Sequence, residues 1–302
     1  MNNQLQKAVD IVPRTRTILQ EFLGLLADKK PVILTGLEPN DLNIIKKSFP
    51  ELYFSYAKNC YNPKLTLVAI SKNKLLATVT ATLLDIKMKS NDYFRLIGIL
   101  LGYPQCCIEN FLKYIDDDDE KRYNTSVITY NSSKSSKQHS KYCNNLLNFS
   151  TRINENRIDY FSKFLLLNQN LPLKIENYQY ISHIPCRYDC QESIKIGMET
   201  EELLKKYAPK IHKTIQPSLS NPVLYFDLFE MIIFDGHLNN GVLNYKKVLP
   251  PFGLIKSVLL KAINEGNKIE VDDNNVSIYK DESLIYVYKR KNERDGFFLD
   301  FK

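Results

Sequence analysis

A chain of 302 residues, 44% apolar and 25% charged, is long enough for one large or two ordinary domains and can bury a core without disulfide staples. That composition excludes a wholly disordered chain, and no apolar run approaches the roughly 20 residues that span a bilayer. The net charge is +7, with the excess in the first hundred residues, where fourteen basic face eight acidic side chains. This permits a nucleic-acid partner but supports it weakly, because most of the basic residues are Lys, whereas a nucleic-acid footprint usually clusters on one face with Arg at the base contacts.

Residues 1–10 are polar and lack the apolar stretch of a secretory leader, so a cytoplasmic protein is expected. Its six cysteines, Cys60, Cys106, Cys107, Cys143, Cys186 and Cys190, then read as reduced thiols, metal ligands or catalytic groups rather than a disulfide framework.

In chain order, residues 12–26 carry the apolar spacing of one amphipathic helix. Strands are predicted at 31–36, 52–56, 65–70 and 75–80, with a helix from Pro39 to about Phe49. Tyr93, Leu96, Ile97 and Leu100 mark one helix face, which Gly102-Tyr103-Pro104 interrupts before a second helix over 105–114. The acidic run Asp116–Glu120 and the Ser/Lys tract at 132–137 predict a mobile polar loop over 116–141. Helices are expected at 144–149, 158–167, 186–207 and 252–263. Residues 223–234 are strongly β-like, Asp235-Gly236 and Asn240-Gly241 read as turns, and strands at 269–271, 276–279, 284–288 and 297–299 read as a terminal antiparallel meander. The expected fold class is α+β (mixed α/β): a small α/β unit over 1–85, a helical cysteine-rich central region over 86–215, and a β-rich unit over 216–302.

Two segments concentrate the chemistry: Gly102-Tyr103-Pro104-Gln105-Cys106-Cys107 and His183-Ile184-Pro185-Cys186-Arg187-Tyr188-Asp189-Cys190. In each, a proline is placed to open a helix, which puts the cysteines in a first turn. Free N–H groups and the positive dipole end there lower a thiol's pKa, giving a nucleophile and a soft-metal ligand. Cys186 and Cys190 are four apart, the spacing that stacks two side chains on one helix face, and His183 lies just before them.

If the two segments meet, Cys106, Cys107, His183, Cys186 and Cys190 form a candidate metal site. The spacing is not a zinc-ribbon pattern, and adjacent cysteines are awkward co-ligands of one tetrahedral ion. Zinc held by three thiolates and an imidazole, and an iron–sulfur cluster on three thiolates, both stay open. A metal-free enzyme is the third reading, with Cys107 as nucleophile, His183 as base and Asp189 as a candidate orienting or acid–base group. Asp189 and Glu192 equally suit the helix dipole, while Cys60 and Cys143, without flanking signals, read as packing residues. His139, His212 and His237 read as structural or surface residues.

The two strings, with Ser193 after the second, resemble the hallmarks of a prokaryotic family, domain-of-unknown-function 483, which pairs Gly-Tyr-Pro-x-Cys-Cys with a later His-x-Pro-Cys-x-x-x-Cys. The resemblance covers about 95 residues and implies that the two segments belong to one site; it brings no activity with it. The expectation is therefore an enzyme with a thiol-rich site acting on a small molecule, a peptide or a modified nucleotide. The alternative is a nucleic-acid- or protein-binding module built on a structural metal.

Overall fold

The computed structural model describes residues 2–15, 17–57, 64–86, 90–115, 125–133, 139–147, 171–226, 230–250, 257–293 and 295–302. Among these, ten α-helices and two antiparallel sheets make an α+β protein, as the pattern predicts. Cys60, the run Asp116–Glu120, most of the Ser/Lys tract and the helix expected over 158–167 lie outside the described residues. The chain divides into two compact units. One takes Met1–Asp118, Tyr180–Cys186 and Gln191–His212; the other takes Asp119–Gln179, Arg187–Cys190 and Lys213–Lys302.

In the first unit, the helix expected over 12–26 is broken. α1 (Asn2–Ile11) leads through a 3-10 turn (Val12–Arg14) into α2 (Leu19–Leu26). Pro13 sits in that turn, and the Thr15 hydroxyl donates to the Val12 carbonyl while accepting from the Thr17 N–H, which ends the helical path. A three-stranded sheet follows, in the order β1 (Val32–Leu37), β3 (Thr66–Ser71), β2 (Tyr53–Ala57), with α3 (Pro39–Ser48) between β1 and β2 in the chain.

The strand expected over 75–80 is instead α4 (Lys74–Asp85). The Asn73 carboxamide accepts the N–H groups of Leu75 and Leu76, and Ala77, Thr80 and Ala81 are buried at helical spacing. β3 already has a neighbour on each side, so the apolar run packs on the sheet rather than joining it.

α5 (Asn91–Leu100) and α6 (Gln105–Ile115) form the hairpin that presents the first cysteine segment. Gly102, at φ +73°, closes α5: its N–H reaches Ile99 O and that of Tyr103 reaches Gly98 O, the paired bonds of a Schellman cap. A Cβ at Gly102 would stand 2.8 Å from the Pro31 ring. Pro104 then opens α6, its carbonyl accepting from Cys107 and Ile108. The predicted first-turn position of Cys106 and Cys107 is observed.

The stretch read as a loop over 116–141 contains α7 (Thr125–Ser133), with Thr129 and Ser133 buried. Residues 144–147 are irregular, ending in a turn at 146–147, rather than the start of a helix. α8 (Gln191–Tyr207) begins five residues later than expected and is followed by α9 (Pro209–Leu219).

The second unit holds a seven-stranded sheet ordered β10-β4-β5-β6-β7-β8-β9. Its strands are β4 (Pro222–Tyr225), β5 (Met231–Asn239), β6 (Val242–Leu249), β7 (Lys268–Val271), β8 (Asn275–Lys280), β9 (Ser283–Lys289) and β10 (Phe297–Asp300). Asn240-Gly241 is the predicted hairpin turn, with positive φ at both residues. Asp235-Gly236 is not a turn; β5 runs through it with a bulge. The meander holds for β5 to β9, whereas β10 returns to the far edge and pairs with β4. α10 (Ser257–Glu265) lays Leu259 and Ile263 on the sheet core of Phe234, Leu243, Ile269 and Ile278. Among the described residues no helix is long and apolar enough to cross a membrane.

Candidate metal centre

The two cysteine segments come together. The sulfur atoms of Cys106, Cys107, Cys186 and Cys190 all lie within 4.8 Å of one another, so the four can hold a metal ion. No disulfide joins the five described cysteines. The adjacent pair is not splayed: the Cys106 and Cys107 sulfurs are 3.9 Å apart, with Cys106 exposed and Cys107 buried.

The first pair owes its place to the first turn of α6. The second pair is placed differently from expectation. Cys186 and Cys190 precede α8 and sit in an irregular turn closed by the Cys190 N–H to the Arg187 carbonyl. That turn replaces the helical i, i+4 stacking and still draws the two thiols together. The Cys186 N–H donates to the Cys107 sulfur at 3.3 Å, the backbone donor that a thiolate accepts. Cys143, expected as a packing residue, is fully buried with its thiol directed at the Cys190 carbonyl at 3.8 Å.

His183 is not in the four-sulfur group. Its Nε2 lies 2.8 Å from the Ser193 hydroxyl, and that hydroxyl lies 3.3 Å from the Cys107 sulfur. The imidazole thus reaches the thiol through one hydroxyl, and all three residues are buried. Ser193 occupies the first turn of α8. Asp189 forms a bidentate ion pair with Arg187 at 2.8 and 2.9 Å, and Glu192 is an exposed residue in the first turn of α8. His212 bonds the buried Glu201 carboxylate at 3.1 Å, His139 sits among Tyr130, Tyr188 and Phe301, and His237 is exposed on β5.

Behind His183 lies a support that sequence reasoning missed. The Tyr103 ring packs on the imidazole with centroids 5.3 Å apart, and the Lys30 ammonium stands 4.9 Å over the Tyr103 ring. Lys30 donates to Glu21 at 2.7 Å and to Ser182, the neighbour of His183, at 3.1 Å. Burial by itself would lower the Lys30 ammonium, but the charge of the Glu21 carboxylate and its hydrogen bond outweigh it and hold it above its ordinary value. Burial raises the Tyr103 phenol in turn, which keeps it neutral. Nothing at positions 21 or 30 announces this role; Tyr103 carried a signal as part of the first segment, and Ser193 as the serine that follows the second.

Comparison with protein-family models, with curated proteins and with solved structures returned no match.

Proposed function

We propose that the chain is a zinc–thiolate protein in which Cys106, Cys107, Cys186 and Cys190 bind one ion, and in which that ion is structural. The observation that carries this reading is the mutual approach of four sulfurs to within 4.8 Å. Thiolates about 2.3 Å from a tetrahedral zinc stand about 3.8 Å from one another, close to the 3.9 Å between Cys106 and Cys107. In an iron–sulfur cluster the thiolates bind different irons around a cage, so their sulfurs spread wider; the compact group favours a single ion. Four protein thiolates leave no open coordination position, the mark of a structural site. The centre then supports a binding module for protein or nucleic acid in the reducing cytoplasm.

A specific observation favours a second reading. The chain Cys107···Ser193···His183 is a route by which a thiol proton passes to a hydroxyl while the hydroxyl proton passes to an imidazole. In this reading Cys107 is the nucleophile of an enzyme on a small-molecule or peptide substrate, and His183 is its base.

Metal analysis of anaerobically purified protein separates the two. The structural reading expects one zinc per chain, no visible absorption, and intense tetrahedral thiolate bands when Co²⁺ replaces zinc. Cys186→Ser and Cys190→Ser should each lose most of the metal and much of the folding stability, with Cys60→Ser unchanged. Iron with a visible spectrum, or metal content equal in all three variants, overturns it. A metal-free protein whose Cys107 is selectively alkylated supports the second reading instead.

A further inference from the structure

The four sulfurs of the cysteine group are not equally reachable. Cys106 is exposed and Cys186 half-buried, whereas Cys107 and Cys190 are buried, at 3% and 8% exposure. Cys107 is also the sulfur that accepts the Cys186 N–H and faces the Ser193 hydroxyl. Hydrogen bonds of that kind stabilise negative charge on sulfur and so blunt its attack on an electrophile. A small oxidant arriving from solvent therefore meets Cys106 first.

An oxidised sulfur at this position has a resolving thiol at hand, and geometry selects which one. Cys107 is excluded although its sulfur is 3.9 Å away. Adjacent Cα atoms stand about 3.8 Å apart across a trans peptide, closer than the roughly 4.4–6.8 Å that a disulfide spans. Both residues are also fixed in the first turn of α6. Cys186 sits in irregular chain before α8, so it can shift without unwinding a helix. Its sulfur lies within 4.8 Å of the Cys106 sulfur and has to close to about 2.05 Å. Cys190 is as near but buried.

We infer that Cys106 is the oxidisable ligand of the centre, and that a hydroperoxide joins it to Cys186 and discharges the ion. The inference rests on the zinc–thiolate reading and adds a regulation of that site. With hydrogen peroxide, the Cys106 thiolate attacks one oxygen; the S–O bond forms, the O–O bond breaks and hydroxide leaves, giving a sulfenic acid. The Cys186 thiolate then attacks the Cys106 sulfur; the S–S bond forms, the S–O bond breaks and a second hydroxide leaves. The two thiolates lose two electrons, the peroxide gains two, and two protons from solution turn the hydroxides into water. Cys107 and Cys190 remain, half of the ligand set, and two thiolates hold zinc far more weakly than four.

The test uses the full chain, purified reduced and without oxygen and loaded with zinc. Hydrogen peroxide is added in steps while a chromophoric indicator follows free zinc and tryptic mapping follows the thiols. Trypsin separates the peptides involved: 96–113 carries Cys106 and Cys107, 175–187 carries Cys186, and 188–195 carries Cys190. The expected result is release of the ion by about one peroxide per chain. A crosslink between Cys106 and the 175–187 peptide should appear in step with it, and dithiothreitol should restore zinc binding. Reduced protein that binds no zinc would overturn the zinc reading and this inference with it. Zinc retained at several equivalents of peroxide, a crosslink to 188–195 in place of 175–187, or oxidation confined to the 96–113 peptide would overturn the inference alone and leave the zinc reading standing.

Discussion

Ser193→Ala isolates the link between the thiol site and the imidazole behind it. The substitution deletes one oxygen that touches His183 Nε2 at 2.8 Å and the Cys107 sulfur at 3.3 Å. Ser193 is wholly buried and His183 is 4% exposed, so water cannot replace the lost partner without opening the packing. A buried polar group deprived of its partner costs about 1–3 kcal/mol, which moves the thermal midpoint of a unit this size by a few degrees. Helix propensity works the other way, since Ala is the better helix former, but by only a few tenths of a kcal/mol. The same change removes an outer hydrogen bond from a proposed zinc ligand, and such losses weaken metal binding about 10- to 100-fold. Denaturant unfolding gives the first quantity, and competition with a chromophoric chelator gives the second. An unchanged denaturant midpoint together with unchanged zinc affinity would refute the idea that this hydroxyl organises the site.

Three further predictions follow from neighbouring contacts. Lys30→Met should cost about 3–5 kcal/mol in denaturant unfolding, because it strands the Glu21 carboxylate in a place where both side chains are nearly covered; adding Glu21→Leu should recover most of the loss, and no recovery would mean that the pair is not the cause. Burial holds His139 below its usual 6.5 against the pull of Asp300 and Asp189, so the unfolded chain takes the proton first. Stability from this residue is present above pH 6.5 and is lost as the pH falls from there towards the lower folded value; His139→Phe should flatten that part of the stability–pH curve, and an unaltered slope would count against it. Asn73→Ala removes the carboxamide that accepts two N–H groups at the start of α4, and should lower stability by about 1 kcal/mol, whereas Asn73→Asp should not.

Local chemistry made much of this protein legible in advance. Gly102-Tyr103-Pro104 stops one helix and starts another because only a residue free to take φ +73° closes α5 there, and because proline suits the first turn of α6. Asn240-Gly241 names its own hairpin for the same conformational reason. These signals place Cys106 and Cys107 in a helical first turn, and they depend only on residues a few positions apart.

Tertiary packing settled the remainder. Residues 75–80 are apolar enough for a strand, and they became helix because β3 has neighbours on both sides and Asn73 caps the turn. Cys186 to Cys190 has helical spacing, yet the Cys186 N–H is given to a sulfur 79 positions away and the helix begins only at Gln191. β10 left the meander for the edge beside β4, a pairing with nothing local to announce it. The support under His183 joins Tyr103 of the first segment to Glu21 and Lys30, two residues unremarkable in their own neighbourhoods. Short-range rules govern backbone conformation, and so the cysteine segments stood out from the sequence; which groups share a buried site depends on how the chain closes over long separations, and only the folded structure carries that information.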